Sequence, residues 1–270
     1  AVKRVVEEMK SMSKDVRDPK EVEQVATISA GSPEIGKMVA DVINRLGHDG
    51  VVTIEKGSGI KDEVEYKQGL EVDRGYLSGH FVNNSGTVEA VIDDPYILLT
   101  DKKLNYGYDI VPLLQKLAKA QIKNLVIFAG EVVEEALATL VINKMRGAFN
   151  VVAIQAPAYG ERRVDELQDL AVLTGATPIL LSEGRSLDKV EIEELGRAEK
   201  VISDRDKTIV IKGGGNKELL AQRLEDLKKQ IESANTDYDR EIKKKRMAQL
   251  SGSIAVIKVG GLTDPEIDEK

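Results

Sequence analysis

Apolar positions along this chain recur with two different periods, and the change between them divides it into regions. Near the N-terminus the period is helical. Val2, Val5, Val6 and Met9 share one face, and Asp18-Pro19-Lys20-Glu21 reads as a capping-box start. Ser32-Pro33 places a second cap before Pro at the first helical position, and Ile35, Val39, Val42, Ile43 and Leu46 then follow at helical spacing as far as Gly47. Residues 1–47 are therefore expected to be helical. His48-Asp49-Gly50 predicts a turn into a strand at Val51–Glu55, and residues 61–67 alternate through Val64 and Tyr66 as a half-exposed strand does.

From about residue 95 to 181 strand and helix patterns alternate. Strands are expected at Tyr96–Leu99, Leu125–Ala129, Val151–Ile154 and Thr177–Leu181, with helices over 109–120, 132–146 and 161–174 between them. Such alternation implies βαβ crossovers and a parallel sheet covered by helices. Strands at Lys200–Ser203 and Thr208–Lys212, a helical hairpin over 216–233 and 237–250, and a strand at Ile254–Val259 complete the pattern. The fold class is α/β: a parallel-rich sheet flanked by helices over 68–252, inserted into a small discontinuous α+β domain made from 1–67 and 253–270. Gly69 and Gly252 stand near the junctions as candidate hinges. The chain opens inside a helical pattern and closes on Asp264-Pro265-Glu266, an N-cap with Pro that starts a helix, so both ends read as cuts in a longer protein.

Composition narrows the chemistry. Cysteine is absent, which excludes disulfides, thiolate metal sites and thiol nucleophiles and fits a cytoplasmic location. The two histidines, His48 and His80, are a poor basis for a zinc site or a Ser-His-Asp triad. The formal net charge of -7 argues against nucleic acid, whose phosphates need a basic face. No apolar stretch approaches the ~18–20 residues of a membrane span.

Three segments invite a ligand-binding reading, and each has a simpler one. Gly213-Gly214-Gly215 lies between a strand and a helix, as a phosphate loop does, but lacks the Gly-Lys-Ser/Thr ending; a turn capped by Asn216 explains it. Asp237-Tyr238-Asp239-Arg240-Glu241 could pair carboxylates for acid–base work, or place acids at a helix N-terminus. Residues 156–163 follow a strand and could bind an anion, or simply lead into a helix. The alternative to a binding module is thus an α/β nucleotide- or anion-binding enzyme domain that uses this loop or the glycine run.

Helix 132–146 is the unusual element. At 100° per residue its apolar residues, Leu137, Val141, Met145, Ala138 and Ile142 on one side and Val133, Leu140 and Ala136 on the other, sweep about 240°, whereas one core-facing stripe needs ~100°. Either both sides are buried or the extra arc faces a partner. Helix 109–120 repeats this in milder form with Val111 and Leu114, and the segment from Tyr76 to Val82 adds Tyr76, His80 and Phe81.

At these residues the chain resembles the group I chaperonins, the GroEL-like proteins. The segments Gln24–Ala30, Asp49–Glu55, Asp73–Ser78, Glu135–Val141, Leu167-Gln168-Asp169, Leu173-Thr174-Gly175, Asp237–Glu241 and Ala255–Gly260 carry the likeness, collinear over nearly the whole length. The resemblance implies an apical, polypeptide-binding domain at about 68–252 and an intermediate domain from the two flanks. It implies a groove between two helices that takes non-native polypeptides and the mobile loop of a co-chaperonin, lined here by Tyr76, His80, Phe81, Val111, Leu114, Leu137, Val141 and Ile142. It implies an interdomain ion pair at Arg74 and Asp264, and hinges at Gly69, Gly252 and Ser253. Ser253 replaces a family glycine, Asp264 is shorter than the usual Glu, His80 stands for an aromatic and Gly79 for Pro. The parent would be a homo-oligomeric ring using ATP and Mg in a further domain. This chain itself would carry no catalytic residue, cofactor or metal.

Overall fold

The structure is a computed structural model and describes residues 4, 9, 12, 16, 18–46, 51–57, 59–234 and 236–269, excluding the side chains of 264, 268 and 269. In chain order its elements are α1 (Pro19–Ala30), α2 (Pro33–Leu46), β1 (Val51–Lys56), β2 (Glu63–Val72), β3 (Ala90–Asp93), β4 (Tyr96–Leu99), β5 (Lys103–Leu104), α3 (Gly107–Lys119), β6 (Asn124–Ala129) and β7 (Glu131–Val132). There follow α4 (Glu134–Met145), β8 (Asn150–Gln155), α5 (Glu161–Thr174), β9 (Gly196–Ser203), β10 (Thr208–Gly213), α6 (Lys217–Glu232), α7 (Asp237–Ser251), β11 (Ser253–Val259) and α8 (Asp264–Glu269). The turn expected at His48-Asp49-Gly50 and the helical positions Val2, Val5 and Val6 lie outside the described residues. No described helix is long and apolar enough to cross a membrane.

The chain is mixed α/β and divides into two compact units, Ala1–Tyr66 with Ala255–Lys270, and Lys67–Ile254. In the first, Asp18 caps α1 by accepting from the Lys20 amide at 2.9 Å, with Pro19 opening the helix and Gly31 closing it in the left-handed region. The apolar stripe of α2 places Val42 in a small core with Ala255, Ile257 and Val259 of β11, flanked by Val39, Leu46, Val52 and Val64. A stripe of this width buries one face and leaves the other to water.

In the second unit the strand order is β2-β10-β9-β4-β6-β8, with β3 also paired to β9. Within this sheet β4, β6 and β8 run parallel, in the register Leu98 to Ile127 and Ile127 to Ala153, and β5 and β7 form a separate parallel pair. The remaining pairs, β2 with β10, β10 with β9, β3 with β9 and β4 with β9, are antiparallel. Residues Leu125 to Ala129 of β6 are all buried, as expected for a strand covered on both faces. The expected strand at Thr177–Leu181 does not form. Pro178 offers no N–H to a ladder, a single bridge joins Ile179 to Thr100, and the Leu181 amide turns away to the Asp101 carboxylate at 2.7 Å. Residues Leu181–Glu183 then form a 3-10 turn. The short strand β3 has only four residues and no pattern that would have marked it.

The covering helices have distinct neighbours. α4 packs on β8 and on α3, while α5 packs on β4, β9 and β10 and also meets α6 and α7.

Candidate apolar binding surface

α4 begins awkwardly. Val133 at its N-cap offers no side-chain hydrogen bond, and Glu134 holds a φ of 49°, a region that non-glycine residues enter at a cost. Glu134 and Glu135 sit in the first turn, where the helix dipole favours acids. The wide apolar arc then divides. Ala136 and Leu140 are fully buried, and Leu137 and Val141 are half-buried against the same core. Ala138, Ile142 and Met145 face solvent, with Ile142 46% and Met145 70% exposed. The helix thus serves the core on one side and leaves apolar side chains in water on the other.

Its two flanks are the other expected elements. α3 buries Ile110, Leu113, Leu114 and Leu117 and leaves Val111 half-buried. On the opposite flank the 3-10 turn Gly79–Phe81 packs against α4 and β8. Tyr76 is half-buried and bridges to Ile154, the Leu77 amide donates to Ala153 O at 2.9 Å, and Ser78 caps the turn through the His80 amide. His80 is exposed.

Two of the eight expected groove residues need correction. Phe81 is 0% and Leu114 5% exposed, so neither offers surface; each projects into the core and supports the helices from beneath. Val111, Tyr76, Leu137 and Val141 are half-buried walls, and Ile142 is the open apolar position. Met145 and the exposed pair Tyr106 and Tyr108 extend this surface and were absent from the expected set. Met145 lay within the apolar arc; Tyr106 and Tyr108 belong to the start of α3, ahead of its periodic apolar positions.

Two of the three hinge residues, Gly69 and Ser253, lie in strands. Gly69 lies inside β2, paired with Ile211, and a Cβ there would come within 2.5 Å of the Val210 carbonyl and 2.1 Å of the Ile254 side chain. Close approach requires the glycine. Gly252 follows α7 in extended conformation and Ser253 opens β11. Arg74 lies with its guanidinium 5.9 Å from the Tyr159 ring; its expected partner Asp264 has a side chain outside the described residues.

The three ligand-site candidates are built into the fold. In the glycine run, the Gly214 amide donates to Arg197 O at 2.8 Å and the Gly215 amide to Leu173 O at 2.9 Å, while Asn216 caps α6. The amides a phosphate would need are engaged. Arg163 donates to Ala158 O within its own loop, and Arg162 to the Tyr238 hydroxyl. Asp237 pairs with Arg240, and Thr236 caps α7. Among the described residues no group of three or more His, Cys, Asp or Glu could hold a metal ion.

A buried charge cluster escaped the sequence reading. Asp169, 4% exposed, accepts from Arg223 at 2.7 Å and from Arg246 at 2.8 Å, and Arg246 also reaches Asp165 at 3.1 Å. Burial works against the Arg246 charge, but the Asp169 hydrogen bond together with the charges of Asp169, Asp165 and Glu166 outweighs it and raises its pKa. Burial raises that of Glu166, which lines a cleft of about 440 Å³ beside the cluster. The signal was an acid on the buried side of α5, between Leu167 and Leu170; its partners lie too far along the chain for any spacing rule.

No protein-family model matches the chain.

Proposed function

We propose that this chain is a chaperone module that binds non-native polypeptides through the apolar surface of α4, with α3 and the 76–82 segment at its flanks. One observation carries the reading: α4 keeps Ile142 and Met145 in solvent although its opposite side already fills the core with Ala136 and Leu140. An exposed apolar surface of this kind gains about 25 cal/mol per Å² on being covered, before ordering costs are deducted. The gain is non-directional, which suits a partner with no fixed sequence. The resemblance to group I chaperonins supplies the larger setting: residues 68–252 as the apical domain, 1–67 and 253–270 as the intermediate domain, and a co-chaperonin loop competing for the same surface. The parent would be a cytoplasmic ring whose ATP and Mg sites lie in a further domain, with Arg74 and Asp264 pairing across the hinge.

The test uses Ile142→Glu combined with Met145→Glu. Both positions are exposed, so stability should hold, whereas Leu137 and Val141 pack against the core and would confuse binding with unfolding. The double variant should lose at least about tenfold in its capture of a chemically unfolded protein, since a charge must be desolvated on contact. Undiminished capture by the folded variant would remove α4 as the binding surface. Tight stoichiometric nucleotide binding by the pure chain would instead favour the enzyme alternative.

A further inference from the structure

Tyrosine on this chain usually seats an arginine. Arg45 lies 4.0 Å from the Tyr66 ring centroid, Arg197 3.9 Å from that of Tyr96, Arg163 5.0 Å from that of Tyr159 and Arg162 5.1 Å from that of Tyr238. Tyr76 is half-buried, with its hydroxyl turned to the Val88 carbonyl. Tyr106 and Tyr108 differ from all of these. They stack on each other at 5.0 Å with an interplanar angle of 16°, they are 45% and 69% exposed, and among the described residues no cation lies over either ring.

Carboxylates approach this pair from α3 and α4, beside a cleft that Tyr108 and Asp109 share with Lys102, Lys103 and Arg185. Gly107, between the two tyrosines, faces the Glu135 carboxylate of α4 so closely that a Cβ would meet Oε1 at 2.9 Å. Glu135 is exposed and makes no ion pair among the described residues. Asp109 accepts from the Asn105 and Tyr106 amides at 2.9 and 3.0 Å, which fixes the backbone that carries the first ring. Partial desolvation, and then the charges of Asp109, Tyr106 and Glu135, push the Tyr108 phenol pKa up. Two of the cations in that cleft already have acidic partners: Lys103 pairs with Glu131 and Arg185 with Glu194.

We infer that Tyr106, Tyr108 and Glu135 form a cation-accepting subsite at the edge of the α3–α4 surface, where a Lys or Arg side chain of a bound polypeptide docks. The inference rests on the polypeptide-binding reading and adds a preference to it: apolar segments flanked by a basic residue. The negative faces of two stacked rings attract a cation, and the nearby carboxylate complements its charge. The same carboxylates repel phosphate, so the complementary partner is a basic polypeptide segment and not a nucleic acid.

The test is fluorescence anisotropy on the full chain with a labelled apolar peptide carrying a lysine at each end, against the same peptide with norleucine at both positions. The lysine peptide should bind about threefold tighter or more, the size of an exposed cation–π contact. Tyr108→Leu and Glu135→Gln should each bring the ratio towards one, Glu135→Gln without weakening the norleucine peptide, and Tyr108→Phe should preserve the ratio. A ratio of one in the unaltered chain, or a ratio unmoved by both Tyr108→Leu and Glu135→Gln, overturns the subsite while binding of both peptides leaves the α4 surface standing. If neither peptide binds the unaltered chain, surface and subsite fall together.

Discussion

α4 and the α5–α7 cluster handle their difficult side chains in opposite ways. In α5 and α7 the costly groups are buried charges, and the fold satisfies them: each Asp169 oxygen has an arginine within 2.8 Å. In α4 the costly groups are apolar side chains in water, and among the described residues nothing seals Ile142 or Met145 from solvent. A buried ion network that is complete within the chain has little left to offer a ligand. An apolar face that remains open still has free energy to gain from a partner. The contrast directs attention to α4, although charge density alone would have favoured α5.

The largest effect that would break this comparison is expected at Asp169. Asp169→Ala leaves Arg246, 6% exposed, without its closest counter-charge and should cost about 3–5 kcal/mol in urea unfolding. A loss near zero would mean that the cluster is not structural. Next is Leu140→Ala on the buried side of α4, which should cost about 2–5 kcal/mol by opening a cavity. The pH dependence of stability gives a smaller effect. Hydrogen bonds from Lys212 and then Lys67 lower the Glu199 pKa from 4.5 to about 2. A depressed carboxylate pKa stabilises the fold above its unfolded value, and the contribution disappears as pH falls from about 4.5 towards 2. Glu199→Gln should therefore be less stable than the unaltered chain at pH 6 and converge with it near pH 2, by a modest margin because the group is partly solvated. Smallest is Ile142→Ser, which should change unfolding by no more than about 0.5 kcal/mol yet weaken polypeptide capture. Equal stability losses at Leu140 and Ile142 would erase the two-sided reading of α4.

Much of the architecture was legible from local pattern. Periodicity located α2, α3, α5, α6 and α7 to within a few residues, and the apolar runs located β4, β6 and β8. Thr177–Leu181 misled because its apolar content is that of a strand while Pro178 removes the donor a strand needs. The count of apolar positions on α4 was correct, but the wheel could not assign them. Phe81 and Ile142 are both large and apolar, yet one is sealed in the core and the other open.

Taken alone, the sequence determined where most helices and the central strands lie, that thiol chemistry is excluded, and that α4 holds more apolar residues than one buried face requires. Those properties depend on neighbours a few positions away, which a linear chain records. Tertiary structure decided which apolar residues reach solvent, that Asp169 meets Arg223 and Arg246 in the interior, and that Tyr106 and Tyr108 stack with no arginine of the described residues over them. Burial and pairing of this kind arise from residues tens of positions apart, whose approach is set by how the elements pack.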